Sequence, residues 1–65
     1  MCLATAMLEK GYQSEEVMRD VAWIEATNQG IRLMTFMGDE RHVQASIKHV
    51  DLVKGIVVLQ ANSSE

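Results

Sequence analysis

The sequence predicts an all-β domain, a small antiparallel β-barrel of SH3-like or OB-like type. Three observations predict it. Apolar residues recur with a period of two in short segments, most cleanly over residues 42–50, the pattern of a strand with one face buried and one wet. Short clusters holding Gly beside Asn, Asp, Glu or Lys separate those segments at regular spacing, as hairpin turns demand. The run Ile56-Val57-Val58-Leu59 is rich in β-branched residues and too short for a core helix.

Taken in order, residues 1–8 alternate Met1, Leu3, Thr5 and Met7 on one face with Cys2, Ala4, Ala6 and Leu8 on the other. Glu9-Lys10-Gly11 reads as a turn, because Gly supplies a positive φ without a Cβ penalty. Residues 12–18 return, Arg19-Asp20 reads as a bend, and residues 21–26 carry Trp23 and Ile24. A helix over Ser14-Glu15-Glu16-Val17-Met18 is the competing reading, but the turn spacing leaves it few residues. Asn28-Gln29-Gly30 is a second hairpin signal. Residues 31–37 form the next strand, and Gly38-Asp39-Glu40 the third turn. In residues 42–50, Val43, Ala45 and Ile47 face one way and His42, Gln44, Ser46 and Lys48 the other. Residues 51–55 lead to the strand at 56–59, with Asp51 setting the turn. One domain is expected over residues 1–61, with 62–65 a frayed tail that has nothing to bury.

Size and composition narrow the partners. A 65-residue chain buries only about 60% of the surface it exposes when unfolded, and such folds gain support from disulfides, metals or self-association. The single cysteine excludes an intrachain disulfide. Several segments, notably 56–59 and Leu33 with Met34 and Phe36, are apolar on both faces, a surplus that marks an interface. A homodimer is expected, with Ala4 and Ala6 letting two N-terminal strands approach. Six basic residues are outnumbered by nine acidic ones, for a net charge of −3, which argues against nucleic acid or a membrane surface as partner. Trp23, Tyr12 and Phe36 are too dispersed for a base-stacking platform. No apolar run approaches the roughly 20 residues of a membrane span, and no secretory signal is present. A cytoplasmic location is expected, where a lone thiol stays reduced.

The chemistry concentrates at Met1-Cys2. Cys2 is one peptide bond from the α-amine, so amine nitrogen, amide nitrogen and thiolate would close two five-membered chelate rings in one plane. That donor set suits Ni(II) or Cu(II) better than tetrahedral Zn(II). Two chains supply two thiolates and enough nitrogens to fill a square plane, provided a two-fold axis brings the two cysteines together. Removal of Met1 would reduce each donor set to amine and thiolate. The plain alternative is a small cysteine that merely packs. Met7, Met18, Met34 and Met37 read as gap-fillers, and His42 and His49, in one extended strand, would project to opposite faces. Glu15-Glu16 and Asp39-Glu40 read as solvated charge at turns. No triad, phosphate loop or zinc motif is present, so the chain is not expected to be an enzyme.

The start Met1-Cys2-Leu3-Ala4 resembles the CooT family of small nickel-binding proteins. So do Glu16-Val17-Met18-Arg19-Asp20-Val21, Phe36-Met37-Gly38-Asp39-Glu40, and Ile47-Lys48-His49-Val50-Asp51-Leu52 followed by Ile56-Val57-Val58-Leu59. The resemblance covers nearly the whole chain. It implies a β-barrel homodimer that binds one Ni(II) between subunits through Cys2 and N-terminal nitrogens, the family being associated with nickel delivery to carbon monoxide dehydrogenase. The client would then be a nickel enzyme. Met34 and the uncharged Thr27-Asn28-Gln29 turn depart from the family pattern, in packing and surface rather than at the metal donors. Hydrogenase maturation chaperones of the HypC type also begin Met-Cys and carry an iron centre. This chain lacks their following proline and C-terminal helical extension, and a HypC-like iron-centre carrier stands as the runner-up reading. A structural or adaptor β-barrel without a metal is the reading from a different class.

Overall fold

The computed structural model describes residues 3–62. Six strands follow one another: β1 (Ala4–Lys10), β2 (Gln13–Thr27), β3 (Gly30–Thr35), β4 (Glu40–Val43), β5 (Ala45–Asp51) and β6 (Ile56–Ala61). They form a single sheet in the order β4-β3-β2-β1-β6-β5, curled into a half-barrel. The all-β class expected from the sequence is observed. Among the described residues no helix is long and apolar enough to cross a membrane.

The expected strand over residues 42–50 is in fact two. Val43 pairs with Ile31 of β3, whereas Ala45 pairs with Ala61 of β6. Gln44 alone therefore joins the two end strands of the sheet order, and the chain turns the barrel corner there. The Gln44 carbonyl accepts the Asn62 N–H at 3.1 Å, and Ser46 donates to the Asn62 side chain at 3.0 Å. Asn62, assigned to the tail by the sequence, is thus held at the corner, while residues 63–65 lie outside the described residues. Gly30 packs against the same corner: a Cβ built on it would overlap the Val43 carbonyl oxygen, and its φ is 129°. Only glycine fits both demands.

The corner also explains why the sheet is mixed rather than antiparallel throughout. Because β4 runs on into β5 without reversing, the chain reverses an even number of times between its first and last strands. Accordingly β1 and β6 pair in parallel, from Thr5↔Ile56 to Glu9↔Gln60. The expected bend at Arg19-Asp20 does not end a strand. It is a bulge within the long β2, where the β1–β2 register slips between Ala4 and Ala6 and Asp20 takes a φ of 57°. Bulges raise local twist and bend a strand, so one continuous β2 serves both halves of the curled sheet. The helix considered over residues 14–18 is part of this strand.

The concave side holds the core: Leu8, Val21, Ile31, Leu33, Val57 and Leu59 with the small Ala6 and Ala45. Alternation places these residues inward, as the sequence predicted for Val43 and Ala45. Ile47 is 44% exposed although it pairs in register with the fully buried Leu59, at the end strand of the sheet order; the β5–β6 register slips only after it, between Ile47 and His49. Lys48 stands at that slip, and its ammonium donates to Glu9 at 2.7 Å. Val58 is buried but outside the core cluster. Together with half-buried Met7, its partner on β1, it makes β6 apolar on both faces, as the run at 56–59 foretold.

Leu33 is fully buried, so Leu33→Ala should cost about 2–5 kcal/mol in urea unfolding at fixed protein concentration. Gly30→Ala should destabilise far more than Gly11→Ala. Gly11 has a positive φ but nothing within 4 Å of a built Cβ, leaving only a left-handed backbone cost of about 1–2 kcal/mol.

Candidate metal centre

β1 is a central strand with both edges paired, to β2 and to β6. The chain enters the sheet at a lateral row that runs Thr35, Val21, Ala4 on one side and Thr5, Ile56, Asp51 on the other. Thr5 N–H donates to the Gly55 carbonyl at 2.8 Å. The half-buried Leu3 has its carbonyl oxygen 3.4 Å from where a Gly55 Cβ would stand. The turn beside this entry point is closed by Asp51, whose Oδ1 accepts the N–H groups of Val53 and Lys54 at 3.1 and 3.0 Å. Asp51 thus sets the turn, as its position suggested. The turn presents Leu52 and Val53, 81% and 97% exposed. On the opposite flank, β2 runs on past Val21, the partner of Ala4. Among the described residues, positions 22–27 pair only along one edge, with β3.

Met1 and Cys2, the predicted metal donors, lie outside the described residues. Cys2 is separated from Ala4, the first residue of β1, by Leu3 alone. Among the described residues, no group of three or more His, Cys, Asp or Glu is placed to hold a metal ion. His42 and His49 stand on β4 and β5 rather than on one strand, because the Gln44 corner intervenes; they pair with Arg32 and Val58 respectively. Met18 packs against the core, Met7 and Met34 are half-buried, and Met37 is exposed. One expectation is corrected. Ala6 is fully buried and Ala4 packs against the same core, so these small residues face inward. With both edges of β1 occupied, they cannot form a contact between the N-terminal strands of two copies.

Sequence reasoning missed an ion cluster on the outer face of β2–β3–β4. Arg32 donates through Nη1 to Glu25 at 2.8 Å and through Nε to Glu40 at 2.5 Å, with the His42 ring 3.9 Å from the same Glu40 oxygen. The register puts Glu25, Arg32 and His42 side by side across three strands. The hydrogen bond from Arg32 holds the Glu40 carboxyl below the usual carboxylate range, against the opposing effect of burial. Glu40 is therefore an exposed acid, as expected, that also serves as a cross-strand ion-pair partner. The charges were visible in the sequence, but their adjacency depends on strand register. Arg41 reaches inward instead and donates to the Val17 carbonyl at 3.0 Å. A shallow cleft near the β1–β2 hairpin, lined by Leu8, Lys10, Gln13, Ser14 and Glu15, gathers no soft donor.

A family model described as CO dehydrogenase accessory protein CooT matches residues 1–60. Among solved structures, a chain from Carboxydothermus hydrogenoformans assigned to CooT superposes with a TM-score of 0.87 at 26% sequence identity. The match covers 95% of this chain and 100% of that one. No curated protein sequence matches.

Replacing Arg32 with Gln should return the Glu40 pKa upward toward its ordinary value of 4.5, read by NMR titration of the side-chain carboxyl. Because the folded pKa is depressed, the stability that the pair contributes is fully present above that ordinary value. It is lost as pH falls through the depressed one. The stability difference between wild type and R32Q should therefore shrink below it.

Proposed function

The chain belongs to the CooT family of CO dehydrogenase accessory proteins, and on that premise we propose that it is a Ni(II) metallochaperone for maturation of a nickel enzyme such as carbon monoxide dehydrogenase. It acts as a homodimer in the cytoplasm. One Ni(II) is cargo shared by two chains, held by Cys2 thiolate and the N-terminal nitrogens of Met1-Cys2. The observation that carries this reading is the family match from residue 1, where the only thiol in the chain stands beside the α-amine.

The donor chemistry fits the cargo. Thiolate and deprotonated amide are strong-field ligands, and a planar set of them favours Ni(II) over the tetrahedral ions. The anchored start of β1 supports the same reading. Thr5 is hydrogen-bonded to the Gly55 carbonyl, so the donors would hang from a fixed point of the barrel, with Cys2 two residues ahead of Ala4. Two such tethers meeting across a two-fold axis assemble one site from a lone cysteine in each chain. Leu52 and Val53 beside that point offer the apolar area for the second copy. Because β1 is interior to the sheet, the dimer contact uses this turn and not pairing of the first strands. The chain binds and releases metal and performs no catalysis, in keeping with its accessory-protein family.

Titration with Ni(II) followed by native mass spectrometry should give one ion per dimer, with a thiolate charge-transfer absorption. Cys2→Ser should weaken binding at least tenfold, about 1.4 kcal/mol, and abolish that absorption; unchanged affinity would remove the site. A free thiol titrates at about 8.5, so binding should release protons and tighten as pH rises toward that value. Val53→Asp should shift the mass toward monomer and weaken nickel binding with it. A dimer that persists while ignoring nickel would favour the adaptor reading instead.

A further inference from the structure

A second group of exposed apolar residues stands on the outer face of β2 and β3 and in the loop after Thr35. Trp23 pairs directly with Met34 across the two strands, and Phe36 and Met37 extend the apolar surface into the loop after Thr35. Trp23, Phe36 and Met37 are 56%, 64% and 77% exposed, and Met34 is half-buried. Nothing in the core requires them there: residues Ile24 and Leu33, paired next to Trp23 and Met34, already fill the inward side.

The border of this surface is acidic. Glu40 lies beside Met34 in register, Glu25 lies two residues along β2 from Trp23, and Asp39 lies in the loop with Met37. Three carboxylates stand there against one guanidinium, that of Arg32, which is already shared between Glu25 and Glu40. The shared guanidinium fixes two of the carboxylates beside the apolar residues without cancelling the negative border.

We infer that the outer face of β2–β3, with Trp23, Met34, Phe36 and Met37 inside an acidic border of Glu25, Asp39 and Glu40, docks the client enzyme through a patch of apolar residues flanked by Lys or Arg. Charge decides the occupant. A second copy would bring the same acidic border against itself, and like charges brought together in an interface cost affinity. A nucleic acid or an anionic membrane would meet the same repulsion. An aromatic and Met-rich centre with a charged border is the composition of a protein interface, with tryptophan a common energetic anchor. The inference rests on the accessory-protein reading only in needing a client, and it uses no nickel donor.

Trp23 is the only tryptophan, so the full chain labelled with 5-fluorotryptophan gives one ¹⁹F resonance from the proposed surface. Adding unlabelled, nickel-free CO dehydrogenase from the same organism should shift or broaden it. Phe36→Ser and Asp39→Lys, both at exposed loop positions, should each weaken binding roughly tenfold, whereas Tyr12→Ser at the distant hairpin should not. Wild-type affinity should also fall between about 0.05 and 0.3 M salt. An unmoved resonance, or undiminished affinity in both loop variants, overturns the inference. So does loss of the dimer in Phe36→Ser, which would assign the face to a second copy. Cys2→Ser separates the two readings: it should dock as wild type does. A wild-type chain that binds no nickel yet docks refutes the nickel reading and leaves this surface standing.

Discussion

The close approach of Gly30 to the Val43–Gln44 backbone governs this fold. At that point the chain leaves β3's neighbourhood and joins β6's, so consecutive residues belong to opposite ends of one sheet. A side chain at Gly30 would hold the corner open, and the hydrogen bond from Asn62 to Gln44 would be lost with it. The curl that follows is what gives so short a chain an inside. Leu33 and Leu59 are the largest side chains fully removed from solvent, each contributing about 1.5–3 kcal/mol of burial.

The corner also sets where the chain begins. With β4 and β5 running on as one course, the last strand returns parallel to the first and covers its free edge. The first strand thereby becomes interior to the sheet, with β2 on one edge and β6 on the other. Leu3, directly ahead of Ala4, passes beside the Gly55 turn.

Surface apolarity divides in two. Leu52 and Val53 stand in the turn beside the entry of β1, between Asp51 and Lys54. Trp23, Phe36 and Met37 stand on the other flank of β2 among carboxylates. A molecule with a net charge of −3 repels its own copies most where its acids cluster, so the second surface is the less suited of the two to self-association. The Arg32 cluster is pivotal, since it holds two acids in place beside the apolar residues while the strands themselves carry the fold.

Much of this was legible in the residues. Period-two patterning gave the all-β class, and glycines marked the turns at Gly11 and Gly30. The run at 56–59 marked a strand apolar on both faces, although its surplus was read as an interface and Val57, Val58 and Leu59 are instead buried within the one chain. What patterning cannot carry is partnership. Val43 and Ala45 keep the same alternation whether or not the chain changes neighbours between them, so the split at Gln44 was invisible. Asp20 likewise reads as a break because a bulge and a turn use the same left-handed backbone. Ala4 and Ala6 looked available to a second copy for the same reason, as alternation names two faces without saying which is concave. The amino-acid order by itself determined the β class and put the lone thiol beside the α-amine, because both are local properties of covalent spacing. Only the tertiary structure decided the parallel closure, the inward alanines and the Glu25–Arg32–Glu40 cluster, because each depends on which distant strands lie side by side.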